Sequence, residues 1–155
     1  MTITYRQATA ADMPIVQSYL EAISLQDGLI HFGTAADLAR HGSGDAALFR
    51  AVLAERNGQP VGVVIFFPVF STLRGRPGVY VQDLFVTPKA RGSGLGKALM
   101  AEARRRGREW GADYMTLMVG HNNDYAKDFY AALGFDRLAE YDALVLEGAE
   151  LDRLG

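Results

Sequence analysis

The chain of 155 residues contains no cysteine, which excludes disulfide staples, zinc–thiolate sites and covalent catalysis through a thiolate. Acyl chemistry here must run by direct transfer or through a serine, and no metal site is expected. Long apolar runs are missing too. The longest, Val61 to Phe70, has ten residues and includes Pro68, well short of the roughly 20 residues a membrane-spanning helix needs. The opening Met1-Thr2-Ile3-Thr4-Tyr5-Arg6 has neither the basic nor the apolar region of a secretory signal. Together these absences predict a cytoplasmic protein with no membrane partner. Charge of one sign is also scarce: 16 basic against 18 acidic residues leave a formal net charge of -2, without the basic footprint that phosphate backbones require. Nucleic acid is therefore not an expected partner. The chain shows no internal repeat and no low-complexity tract. With 49% hydrophobic residues it is long enough for one well-packed core and short for two, which predicts a single domain over 1–155.

Periodicity then places the elements. Ile3, Tyr5 and Gln7 alternate with Thr4, Arg6 and Ala8 as a short strand. Thr9-x-x-Asp12 is a capping-box variant that opens a helix from about Ala10 to Leu25, striped by Met13, Val16, Leu20 and Ile23. Asp27-Gly28 ends it, and Thr34-Ala35-Ala36-Asp37 opens a second short helix that stops at Gly42-Ser43-Gly44. Asn57-Gly58 is a strong hairpin signal and joins strands at about 47–56 and 61–70. The β-branched and aromatic run Val79 to Val86, closed by Thr87-Pro88, is a third antiparallel strand. Leu95, Ala98, Leu99, Ala103 and Trp110 recur at helical spacing over 92–110. Tyr114 to Val119 reads as a strand, 123–133 as a helix ended by Gly134, and the remainder as a final pair of strands around Ala143 to Leu146. This order predicts an α/β fold of the α+β kind, a mixed and mostly antiparallel central sheet with helices on both faces, and not a simple dinucleotide-binding wind.

The segment Arg91-Gly92-Ser93-Gly94-Leu95-Gly96-Lys97 lies between a strand and a helix start. Its glycines let an oxyanion approach the amides without meeting a Cβ, and the helix N-terminus adds unpaired N–H groups and partial positive charge, so a phosphate is the natural ligand. A Walker A loop would need a hydroxyl after Lys97, where Ala98 stands, and a dinucleotide fingerprint aligned on Gly92 and Gly94 would need glycine at Lys97. Both alternatives fail.

Arg91-x-x-Gly94-x-Gly96 resembles the R/Q-x-x-G-x-G/A signature of the GNAT superfamily of N-acetyltransferases, with Leu84-Phe85-Val86-x-Pro88 upstream. Asn123-x-x-Ala126-x-x-x-Tyr130-x-x-x-Gly134-Phe135 is similar to a second signature of that superfamily. The run Ser71 to Val86 is further similar to the diamine (spermidine/spermine) and thialysine acetyltransferase branch, except that Gln82 stands where that branch has glutamate. The resemblance implies acetyl-CoA as cosubstrate and a cofactor cleft where the third antiparallel strand and the strand after it splay apart. The pyrophosphate would sit on amides of Gly92, Ser93, Gly94, Leu95, Gly96 and Lys97, with Arg91 setting the entry turn. The pantetheine arm would lie along Leu84, Phe85 and Val86, with Asn123 and Ala126 also at the cofactor. It also implies a homodimer and a small-molecule amine acceptor, a diamine, a polyamine or an amino-acid-like compound. A protein amino group and a noncatalytic acyl-CoA-binding module stay open as alternatives.

Tyr130 is then the expected general acid, since a phenol of pKa near ~10 can protonate a departing thiolate of pKa near ~8.5. Asn123 orients the pantetheine amide or caps its helix. The base is open. Gln82 cannot titrate but can position the acceptor through its amide. Asp83 alternates to the opposite face unless a bulge intervenes. His121 has a suitable intrinsic pKa, and the acidity of Glu21 and Asp27 is too thin to decide for or against a polyamine. Arg104-Arg105-Arg106 with Arg108 reads as a solvated helix face.

Overall fold

The computed structural model describes residues 2–155; Met1, the first residue of the amino-terminal stretch read above, lies outside the described residues. Contacts divide the chain into two compact units, Met1–Asn123 and Asp124–Gly155.

The first unit is built on a five-stranded sheet of β1 (Ile3–Gln7), β2 (Arg50–Arg56), β3 (Gln59–Ser71), β4 (Arg76–Val86) and β5 (Met115–Leu117), hydrogen-bonded in that order. The pairs β1–β2, β2–β3 and β3–β4 are antiparallel and β4–β5 is parallel, which is the mixed sheet that the element order predicts. At the β2–β3 turn Asn57 and Gly58 take φ of +52° and +76°, the left-handed pair that matches the twist of a two-residue hairpin.

One face of the sheet carries α1 (Met13–Gln26) and α2 (Ala35–Gly42), and the other carries α3 (Leu95–Gly107). Met13, Val16, Tyr19 and Leu20 of α1 pack on Ala51, Leu53, Val63, Ile65 and Phe85 in one buried cluster. The alternate positions of the same strands, among them Val52, Val64 and Phe66, are also fully buried, and Phe66 stacks on Trp110 just after α3. A sheet buried on both faces accounts for the near-continuous apolar run in β3. The amino end is clamped electrostatically. Arg6 donates to both oxygens of Asp12 at 2.8 Å and to Glu55 at 2.9 Å, while the Thr9 N–H donates to Asp12 at 2.7 Å. The Arg6 hydrogen bonds hold the Asp12 carboxyl well below the usual carboxylate range.

The second unit contains α4 (Asp124–Ala132) and the short α5 (Gly148–Asp152). Tyr130 packs edge-on against Phe129 and Phe135, with ring centroids 5.2 and 5.5 Å apart. The final strand pair expected around Ala143 to Leu146 does not form: residues 135–147 contain neither helix nor strand, and Leu144 and Val145 are 94% and 83% exposed. Apolar, β-prone residues become strand only where a ladder satisfies their backbone groups and a face buries them. That segment has no ladder. Among the described residues no helix is long and apolar enough to cross a membrane.

Candidate active site

The glycine-rich segment forms the turn that its composition predicts. Gly92 and Gly94 adopt φ of +76° and +81°, where an L side chain is strained, and a Cβ at either would meet no protein atom within 4 Å. The turn is therefore open on its outer side. Gly94 is the N-cap of α3, so the first amides of that helix, from Leu95 through Gly96 and Lys97, have no carbonyl partner within the helix. Arg91 ties the turn to the sheet: its Nε donates to the Val86 carbonyl at 3.0 Å and its guanidinium lies 5.9 Å from the Phe85 ring centroid. The Ser93 hydroxyl donates to the Ala90 carbonyl at 2.6 Å. Amides without an intrahelical partner, open space beside Gly92 and Gly94, and the N-terminus of a thirteen-residue helix together fit a pyrophosphate.

Just upstream, β4 parts from β5. The two strands pair only over Val79↔Met115, Tyr80↔Thr116 and Val81↔Leu117, while β4 continues along β3 as far as Val86. The edge of Leu84, Phe85 and Val86 on the β5 side thus has no strand beside it among the described residues. An extended amide chain can pair there as an added strand.

At the parting point the β3–β4 register slips. Ile65 pairs with Asp83 and Phe66 with Val81, so Gln82 is the extra residue of a β-bulge. Before the bulge Val79 and Val81 are buried while Tyr80 stacks on Phe67, centroids 4.9 Å apart. After it Phe85 belongs to the α1 cluster and stacks on Tyr19 at 4.8 Å. The bulge therefore moves the odd-numbered positions from the α3 face to the α1 face. Regular alternation would have sent Asp83 away from Gln82; the bulge corrects that expectation and turns both into one cavity.

This cavity has a volume of about 380 Å³, toward the lower end of the roughly 300–1,000 Å³ of small-molecule sites. Leu20 of α1, Leu38 of α2, Leu48 and Phe49 ahead of β2, and Ile65 and Phe67 of β3 line it together with Gln82 and Asp83. Asp83 is the one ionisable side chain in that lining. Burial among apolar groups pushes its carboxyl up to about 6, opposed by the electrostatic influence of His31. The Asp83 charge in turn adds to the burial that raises Tyr80. His31 is held from the α1–α2 loop, its Nδ1 3.0 Å from the Ser24 hydroxyl, and the loop is anchored by Gln17 Nε2, which donates to the Gly33 carbonyl at 2.7 Å.

The cavity thus collects Gln82, which the sequence singled out, and Asp83, which regular alternation set aside; His31, which the sequence reading did not weigh, bears on Asp83 electrostatically from outside that lining. A carboxylate beside the bulge could have been found only by predicting the bulge. The other carboxylates of the α1 end are engaged outside that lining: Glu21 accepts from Gln17 at 3.0 Å, and Asp27 from Asn123 Nδ2 at 3.3 Å. His121 lies exposed on the turn after β5. Ala126 and Tyr130 lie on α4 in the second unit. The arginine run is a solvated face only in part. Arg105 and Arg108 are exposed, whereas Arg104 and Arg106 are partly buried and Glu102 bridges Arg105 at 2.8 Å and Arg106 at 3.5 Å. Among the described residues no group of three or more histidine or acidic side chains could hold a metal ion.

The sequence model of the Acetyltransferase (GNAT) family matches residues 19–135. A thialysine N-epsilon-acetyltransferase of Bos taurus is 30% identical over 111 residues, 66% of this chain and 65% of that protein. An uncharacterized N-acetyltransferase of Bacillus subtilis is 33% identical over 85 residues, 55% of this chain and 57% of that one. The chain thus spans less than two thirds of the length of these relatives. Among solved structures, a predicted acetyltransferase of Clostridium acetobutylicum, in complex with acetyl-CoA, superposes with a TM-score of 0.75 at 17% identity, over 93% of this chain and 96% of that one. That likeness is one of fold.

Proposed function

The chain belongs to the GNAT acetyltransferase family, and from that premise we propose that it transfers an acetyl group from acetyl-CoA to the primary amine of a small molecule. The observation that carries this reading is the order of features along one strand. β4 leaves β5 at Val81, a bulge turns Gln82 and Asp83 into a cavity, and the phosphate cradle opens at Gly92 and Gly94.

The donor supplies an acyl thioester. The cradle of Arg91 to Lys97 holds its pyrophosphate on backbone amides, and the free edge of Leu84 to Val86 pairs with its amide arm, with Asn123 and Ala126 assigned to the cofactor by the family motif. Backbone N–H groups at the same edge are placed to stabilise negative charge on the acyl oxygen. Gln82 positions the acceptor through its amide.

A primary ammonium has a pKa near ~10.4, far above that of Asp83, so the carboxylate does not strip it in the ground state. The acceptor therefore loses its first proton to solvent and attacks as the neutral amine; Asp83 holds it in line and takes the second proton as the C–N bond forms, when the nitrogen becomes cationic and acidic. The C–S bond breaks in the same process, and Tyr130 returns a proton to the thiolate. Only the ionised carboxylate can accept, so kcat/KM rises with pH through about 6. His31 and Tyr80 are the titratable groups that bear on this limb. The proposal treats residues 1–155 as one cytoplasmic acetyltransferase domain working as a homodimer.

The test is CoA thiol release from acetyl-CoA, followed against diamines, polyamines, lysine analogues, alkylamines and basic peptides from pH 5 to 9. Saturable, amine-dependent release supports the reading. Binding of CoA without any amine-dependent release overturns it in favour of a noncatalytic acyl-CoA-binding module. Gln82→Glu should change the ranking of amines, and an unchanged ranking across that pH range removes Gln82 from acceptor binding.

A further inference from the structure

The cavity beside the bulge contains one carboxylate, one amide and six apolar side chains. Its chemistry is lopsided in a way that selects among amines. Leu20, Leu38, Phe49, Ile65 and Phe67 offer a hydrocarbon wall, and Asp83 offers a single negative charge beside it. A second ammonium on the acceptor would have to leave water for that wall without a counter-ion, since Glu21 and Asp27 are engaged elsewhere. Burying an unpaired charge among apolar groups is strongly unfavourable. Hydroxyls of a sugar-like acceptor would lose their water partners in the same way.

Leu48, in the cavity lining, is 69% exposed, and the α1–α2 loop exposes Leu29, Ile30 and Phe32 on either side of His31. The same loop carries His31, whose electrostatic influence opposes the burial that raises the Asp83 carboxyl. Three large apolar side chains in five residues of loop, held in place by the Gln17–Gly33 hydrogen bond, are a surface on which hydrocarbon is recognised.

We propose that the acceptor is a monoamine with an apolar body, an alkylamine or arylalkylamine whose nitrogen sits at Asp83 and whose hydrocarbon lies between Leu20, Leu38, Phe49 and Phe67. The inference rests on the acetyl-transfer reading above and departs from a polyamine or basic peptide as acceptor. Gln82 accompanies the change. A neutral amide where the related branch has glutamate leaves the site with one negative charge, matched to one cation.

The test compares matched pairs on the full chain: hexylamine with 1,6-diaminohexane, and phenethylamine with lysine, each by steady-state kinetics with acetyl-CoA and by calorimetric binding in the presence of CoA. The expected result is a kcat/KM at least tenfold higher for the monoamine of each pair, rising about three- to fourfold per methylene from propylamine to hexylamine. Leu48→Glu, at an exposed position that tolerates charge, should move the preference toward the diamine by about tenfold. Equal or better use of the diamine by the unmodified protein overturns the proposal, as does a flat response to chain length. Absence of turnover with every amine would count against acetyl transfer alone. Calorimetry then still decides the ligand class: tighter binding of the monoamine, weakened by Asp83→Asn, supports it, and no preference overturns it.

Discussion

Strand β4 consists of two halves that share one backbone and do different work. Up to Val81 it is paired on both sides, to β3 and to β5, and its buried Val79 and Val81 serve packing. From Gln82 onward it is paired on β3 alone, with Gln82 and Asp83 lining a cavity. One extra residue separates the two. The lesson is that chemistry is concentrated where the sheet stops satisfying itself: unpaired backbone, a partly buried carboxylate and open left-handed glycines all follow within twelve residues of the bulge.

The comparison breaks most directly at Asp83. Asp83→Asn should lower kcat/KM about 100-fold at pH 8 and abolish the rise through pH 6, as expected for loss of a general base. The same change should stabilise the fold. A carboxyl whose folded pKa is raised contributes stability that is complete below its unfolded pKa and lost as pH climbs through about 6. Asparagine should therefore be more stable by about 2 kcal/mol at pH 8 and little different at pH 4, read by urea titration. A variant that is both slower and less stable at pH 8 would make Asp83 a structural residue.

Val81→Ala probes the other half. Removing two buried methyl groups should cost about 2 kcal/mol of stability in the same titration while changing kcat less than threefold. A large kinetic loss would mean that the two halves are not separable.

Gly94→Ala asks whether the cradle binds donor through its backbone. Strain at φ of +81° should cost about 1–2 kcal/mol, and the KM for acetyl-CoA should rise about tenfold. Gly58→Ala, at a similar φ in the hairpin, carries comparable strain and should leave that KM alone. If both variants behave alike, the cradle is merely a turn.

The smallest effect is expected at the amino-terminal clamp, which is the electrostatic opposite of the cavity. Asp12 is held low by Arg6, so its contribution is present above the unfolded pKa and is lost as pH falls below about 4. Because Arg6 is 42% exposed, Asp12→Asn should cost only about 1 kcal/mol at pH 7, and the difference should narrow progressively as pH falls below the unfolded carboxylate pKa of about 4. Activity should not change.

Local signals accounted for most of the scaffold. Asn57-Gly58 made the hairpin, the Thr9 and Thr34 caps opened their helices, and helical spacing located α1 and α3, because each of these depends on residues within a turn or two of each other. The glycine turn was legible for the same reason, since left-handed glycines before a helix are a local arrangement. The strand pair near Ala143 was misread because a strand exists only with a partner, which no local pattern supplies.

What residue order alone established is therefore the order of elements from β1 to α4, the glycine turn ahead of α3 and the absence of cysteine. Tertiary structure decided which acid meets the cavity. The β3–β4 register depends on packing across two strands far apart in the chain, and its slip by one residue reverses every side chain beyond it. That reversal, together with burial by α1 and α2, converts Asp83 from an outward-facing acid into the single charged group of an apolar site.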